Sequence, residues 1–143
     1  MAIYAHPADP ITDCGGTLAR HAENGDEVSA LILTHGGRVH PNYFVKEWRK
    51  AHPNEEIINM DEQAIINFKK AELMRAADII GISNVECLDQ DDSKIFPTEE
   101  LIDKTANAIA KVCPDIVIMD YPYGACIDCH AACSQVAFKA LER

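Results

Sequence analysis

The sequence predicts an α/β protein with a Rossmann-like, three-layer fold built on a parallel sheet. Short apolar strands alternate with helical stretches along all 143 residues, and such alternation is typical of parallel sheets with right-handed crossovers. The second strand, at 28–33, is apolar on both faces, as parallel strands tend to be. The length predicts a single domain over residues 1–143.

Each element has its own local signal. Gly25 and Gly81 stand where helices are expected to end, and Thr98 is a good N-cap. The strands are expected at Ile3 to Ala5, 28–33, 85–88 and 116–119, and the helices at about 15–24, 61–80, 98–113 and 130–141. His35 to Met60 is expected to be a long connection.

The expected winding of the sheet locates the functional residues. In a doubly wound sheet the first and fourth strands lie side by side, and ligands bind at the carboxyl ends of those strands. Functional residues should therefore follow strand 1 and strand 4. The first strand–helix turn lacks the G-x-G-x-x-G pattern, and no phosphate-binding G-x-x-x-x-G-K-[ST] occurs, so a nucleotide site is not expected.

Charge and hydropathy exclude several partners. The chain has 13 Lys plus Arg against 23 Asp plus Glu, a formal net charge of −10, which repels a phosphate backbone and argues against nucleic acid. No apolar run approaches the roughly 20 residues of a membrane span. The first residues show no basic segment followed by a long apolar stretch, so we expect no secretory signal and a cytoplasmic protein.

Three of the six cysteines crowd into the segment 126–133. In a cytosolic chain such a cluster indicates metal or redox chemistry rather than a disulfide framework. Cys126, Cys129 and His130 also satisfy the haem-attachment pattern C-x-x-C-H, but we expect no haem because neither an export signal nor a haem-enclosing helical fold is visible. A competing interpretation is that Cys129 and Cys133 are simply buried small side chains of the last helix.

Both loops at the expected switch point carry potential metal ligands. His6 and Asp9 follow strand 1, and 126–130 follows strand 4. A histidine and a carboxylate from one loop, with an imidazole or thiolate from the other, make three protein ligands. Three ligands and an open position are what a catalytic zinc site requires.

Four segments resemble the PIG-L/LmbE family of zinc-dependent N-deacetylases, in the family's order. AHPADPITDCGGTLARHAENGDEV is similar to the family's opening A-H-P-D-D-E signature, and HGGRVHPNYF to its second-strand loop. FKKAELMRAADIIGI is similar to its long helix, and PDIVIMDYPYGACIDCHAA to the fourth strand with the H-x-D-H loop. The resemblance implies a zinc-dependent enzyme that deacetylates small N-acetylated sugars of the N-acetylglucosamine type.

The resemblance also implies a ligand set. His6 matches the first metal ligand of the family and Asp9 the second. Cys129 replaces the histidine that would be the third ligand, and His130, one position along, is an alternative donor. The chain is shorter than typical members, so the C-terminal part of the family fold is expected to be absent.

The catalytic positions depart further from the family pattern. Ala8 stands where the family has its aspartate general base, and Cys126 replaces the histidine that acts as the acid or stabilises the intermediate. Asp128 matches the aspartate of the same motif. Because losing a general base typically costs ~10²–10⁴-fold in rate, weak or lost activity is expected. The alternative is a non-catalytic relative that binds a sugar or a partner on the same scaffold.

Overall fold

The computed structural model describes residues 1–38, 47, 49–123 and 128–143, with only the backbone of Asp128. Strands and helices alternate through these ranges. In chain order they are β1 (Ala2–Tyr4), α1 (Asp9–Glu23), β2 (Ser29–Thr34), α2 (Glu55–Ile58), α3 (Glu62–Ile80), β3 (Asn84–Gln90), α4 (Glu99–Val112), β4 (Ile118–Met119) and α5 (Asp128–Leu141).

The four strands form one parallel sheet in the order β3-β2-β1-β4. Ile3 of β1 lies opposite Leu31 on one side and Met119 on the other, and all three β1 residues are buried. The predicted neighbourhood of the first and fourth strands is confirmed. The loops that follow β1 and β4 therefore leave the same edge of the sheet side by side.

Two apolar clusters cover the two faces of the sheet. Ile3 and Leu31 pack with Ile102 of α4 and Val136 of α5, whereas the alternate β1 residue Tyr4 faces the cluster that contains the α1 and α3 side chains Leu18 and Leu73. This division follows from the alternation of side chains along a strand. Helices on both faces confirm the predicted α/β fold with three layers.

The start of α1 differs from the prediction. The helix begins at Asp9, with Pro10 in its first turn, rather than at Gly15. Proline is tolerated there because the first N–H groups of a helix have no intrahelical acceptor. Gly15 and Gly16 lie inside the helix. Asp9 consequently belongs to the first turn of α1, where the helix dipole favours a carboxylate.

The other boundaries lie close to their predicted positions. Asp61 caps α3 by accepting the Ala64 N–H at 2.7 Å, and Thr98 caps α4 as expected. The connection expected between His35 and Met60 contains α2; its residues 39–46 and 48 lie outside the described ranges. Among the described helices, none has the length and apolar character needed to cross a membrane.

Substitution by alanine at two glycines, Gly81 and Gly16, is expected to change the free energy of unfolding in opposite directions. Gly81 ends α3 with a φ of +85°, and an added Cβ would lie 2.7 Å from the Ala22 Cβ, so Gly81→Ala should lower the free energy of unfolding by at least about 1 kcal/mol. Gly16, inside α1, has open space at its Cβ position; Gly16→Ala should raise it by about 0.5–1 kcal/mol. Urea denaturation measures both, and a stabilised Gly81→Ala variant would contradict the left-handed cap.

Candidate metal centre

The loop between β1 and α1 fixes His6 against Asp9. Both residues are buried. The Asp9 Oδ2 atom accepts the backbone N–H of His6 at 2.7 Å and lies 3.2 Å from the His6 Nδ1 atom. The same turn is closed by the Asp9 N–H, which donates to the His6 carbonyl at 3.2 Å. The backbone thus sets the distance between the two predicted ligands.

His130, in the first turn of α5, brings a third donor atom to this pair. Its Nε2 atom lies 3.0 Å from the His6 Nδ1 atom and 3.4 Å from the Asp9 Oδ2 atom. Metal–ligand distances of about 2.0–2.1 Å in a tetrahedral zinc site place ligand atoms roughly 3.3 Å apart. The three side chains therefore fit the spacing that zinc requires, although they come from opposite ends of the chain.

Cys129 lies on the other side of the His6 ring. Its Sγ atom is 3.5 Å from the His6 Nε2 atom. His6, Cys129 and His130 also form a group of potential ligands within 4.8 Å of one another. Burial raises the pKa of the Cys129 thiol. Of the two predicted third ligands, the geometry with Asp9 favours His130.

Asp120, which was not among the predicted site residues, orients His130. It directly follows β4, and its Oδ2 atom lies 3.0 Å from the His130 Nδ1 atom. A proton on Nδ1 that is donated to this carboxylate leaves the Nε2 lone pair of a neutral His130 directed at His6 and Asp9. Burial raises the pKa of Asp120, and the nearby His130 opposes the rise.

Removal of the Asp120 carboxylate should weaken metal binding without removing a ligand. For Asp120→Ala we expect a loss of about 10–100-fold in zinc affinity, the usual effect of deleting such a partner. The matched control is Asp13→Ala, which removes an exposed carboxylate of α1 that also influences Asp120 electrostatically. Competition with a chromophoric chelator measures both, and equal losses would contradict an orienting role for Asp120.

The predicted catalytic residues are only partly described. Cys126 lies outside the described residues, and Asp128 opens α5 with its backbone alone, so their roles stay predictions. Ala8 is exposed and occupies the N-cap position of α1 without a side-chain cap. The methyl group of Ala8 offers no proton acceptor beside the buried Asp9.

A second polar group lines the carboxyl ends of β2 and β3. The Asp92 carboxylate, buried on all sides, lies 3.0 Å from the His35 Nδ1 atom and accepts the Arg38 backbone N–H at 3.1 Å. Although it belongs to the acidic run 89–92, Asp92 is therefore held inside the protein and not in a solvated turn. Lys69 of α3 donates to the carbonyl of Gly36 in the same region, and burial lowers its pKa.

Comparison with known proteins adds relatives of two activities. The chain is 30% identical over 118 residues to a 4-oxalmesaconate hydratase of Pseudomonas putida, covering 82% of this chain and 42% of that protein. It is 25% identical over 123 residues to a diacetylchitobiose deacetylase of Thermococcus kodakarensis, covering 86% of this chain and 40% of that protein.

A solved structure shows the same fold. The 4-carboxy-2-hydroxymuconate hydratase of Pseudomonas putida superposes with a TM-score of 0.81 at 27% identity, covering 97% of this chain and 53% of that one. The chain thus spans about half the length, or less, of these relatives. The profile described as GlcNAc-PI de-N-acetylase matches residues 1–141, and the chain belongs to this PIG-L family.

Proposed function

We propose that this chain is a metal-dependent hydrolase that removes the acetyl group from a small N-acetylated sugar, slowly because position 8 is alanine. The observation that carries the proposal is the triangle of donor atoms from His6, Asp9 and His130, with sides of 3.0, 3.2 and 3.4 Å. Family membership and the deacetylase relative support the reaction type.

Each residue of the centre has a defined task. His6, Asp9 and His130 would hold a zinc ion, and zinc in such a site lowers the pKa of bound water to about 7 and polarises a carbonyl group. The Asp9 carboxylate offsets part of the positive charge, and Asp120 keeps the His130 ring in place. Ala8 cannot take a proton from the attacking water, which is why turnover is expected to be slow.

Hydration of a carbon–carbon double bond in a small polycarboxylate is the second candidate. It is favoured by the 30% identity to a hydratase. Water addition to a double bond removes a proton from the water and delivers a proton to the second carbon, and no amine leaves. The Lys69 ammonium group interacts electrostatically with Asp92 and Asp9. Its positive charge would suit a carboxylate substrate.

One experiment separates these reactions from a non-catalytic, sugar- or partner-binding role. Zinc-loaded protein is given an N-acetylglucosamine conjugate, and acetate release is measured; a parallel reaction follows the ultraviolet absorbance of an unsaturated dicarboxylate. His130→Ala is the matched control. We expect slow, metal-dependent acetate release. Metal-dependent loss of the double bond alone would favour hydration, and neither reaction at full zinc occupancy would favour the non-catalytic role.

We also infer that the protein works in the cytoplasm on a small molecule. The five cysteines that the structure describes form no disulfide with one another, and free thiols are typical of a reducing compartment. The net charge of −10 supports the absence of nucleic-acid partners. Fractionation of cells that express the tagged chain tests the compartment.

A further inference from the structure

We propose that Cys129 is a positioning residue that holds the imidazole of His6 through its Nε2 atom, and not a metal ligand. The proposal rests on the metal centre described above, but part of its test does not need a metal. Cys129 stands where the family pattern has a metal-binding histidine. Its role therefore decides whether this position still supplies a metal ligand.

The two nitrogen atoms of His6 face different groups. The Nδ1 atom lies 3.2 Å from the Asp9 Oδ2 atom and 3.0 Å from the His130 Nε2 atom. The Nε2 atom lies 3.5 Å from the Cys129 Sγ atom, a normal hydrogen-bond distance for sulfur. His6 is 3% exposed and Cys129 is 7% exposed, so bulk water competes little for this contact.

Consecutive residues of α5 reach these two sides because of helix geometry. Successive side chains of an α-helix point about 100° apart. His130 is thereby directed to the Nδ1 side of His6, and Cys129 to the Nε2 side. A single ion bound by Nδ1, Asp9 and His130 leaves Nε2 facing the thiol.

A thiol suits this position because it can both donate and accept a hydrogen bond. In the metal-free protein, a proton on Nδ1 faces the acceptors Asp9 Oδ2 and His130 Nε2, and the Cys129 S–H donates to Nε2. When Nδ1 coordinates a metal it carries no proton, so the single imidazole proton sits on Nε2 and the sulfur accepts it. The contact between Cys129 and Nε2 can therefore form in both states, and the ring keeps its direction.

Cobalt(II) binding provides the first test. Cys129→Ala should lower cobalt affinity by about 10–100-fold, whereas Cys129→Ser, which keeps a donor and an acceptor, should recover most of it. Cys133→Ala, one turn later and also buried, is the control, with little change in affinity expected. Circular dichroism confirms that the variants fold.

The absorption spectrum of the cobalt-loaded protein separates positioning from ligation. We expect no thiolate-to-cobalt charge-transfer band. A band that is present in the unmodified protein and lost in Cys129→Ser would make Cys129 a ligand and overturn the proposal. Equal affinities for Cys129→Ala and the unmodified protein would overturn it as well.

An infrared measurement on the metal-free protein tests the role of Cys129 independently of the proposed function. The infrared S–H band that disappears in Cys129→Ala should lie at lower frequency than the band that disappears in Cys133→Ala, because a hydrogen bond to imidazole weakens the S–H bond. An equal or higher frequency contradicts the positioning role. If no metal binds at all, the proposed function fails, and the infrared result still decides the role of Cys129.

Discussion

His130→Ala is expected to lower zinc affinity by more than about 100-fold. Deletion of a residue that only hydrogen-bonds a ligand, as Asp120 does, already costs ~10–100-fold, and loss of the ligand itself should cost more. The substitution removes the Nε2 atom that lies 3.0 Å from the His6 Nδ1 atom and 3.4 Å from the Asp9 Oδ2 atom. Two protein ligands would remain where a catalytic zinc site normally has three. Isothermal titration calorimetry with zinc measures the loss.

His21→Ala is the matched control for this experiment. His21, in the last turn of α1, is also paired with a carboxylate, the Asp26 Oδ2 atom at 2.6 Å, but it lies at the opposite end of that helix from Asp9. Its replacement should leave zinc affinity unchanged. Zinc binding that survives His130→Ala and is lost in Cys129→Ser would move the third ligand to the thiolate and contradict the assignment.

Ala8→Asp is expected to raise turnover by about 10²–10⁴-fold, the usual contribution of a general base. Ala8 is exposed and directly precedes the buried Asp9, so an added carboxylate needs no repacking of the core. Because His130 already supplies a third donor, we expect the single substitution to be sufficient. The rate of acetate release at equal zinc occupancy measures the effect.

Ala8→Asn is the control, since it has nearly the same shape and can also cap α1 but takes up no proton near neutral pH. Any gain in stability from an added N-cap should be shared by both variants, whereas the gain in rate should belong to aspartate alone. Equal rates for the two variants would show that position 8 does not limit the reaction.

The sequence predicted the layers and the switch point but misplaced the start of α1. The alternation of strands and helices, and the strands that are apolar on both faces, are patterns of the whole chain. Errors of a few residues in the predicted boundaries of an element therefore do not change the predicted fold. The predicted start of α1 at Gly15 lies six residues after the observed start at Asp9. In the structure Pro10 lies in the first turn, and glycines are tolerated inside a helix supported by the sheet.

The choice between Cys129 and His130 could not be made from sequence. Neighbouring helical residues differ in direction by about 100°, so the choice depends on the rotation of α5 about its axis, which packing sets. The importance of Asp120, by contrast, could have been predicted from the sequence. It is the first residue after β4, at the carboxyl end where the expected topology concentrates function.

The position of β1 between β2 and β4 has a consequence for the order of folding. His6 and His130, whose ring nitrogens lie 3.0 Å apart, are separated by 124 positions, and β1 pairs with β4 over a similar span. Contacts between such distant segments form late and slow folding. During synthesis, β1 and β2 can pair long before residues 118 and 119 emerge. Zinc uptake should therefore coincide with docking of β4 and α5, and a pulse of metal during refolding would time that step.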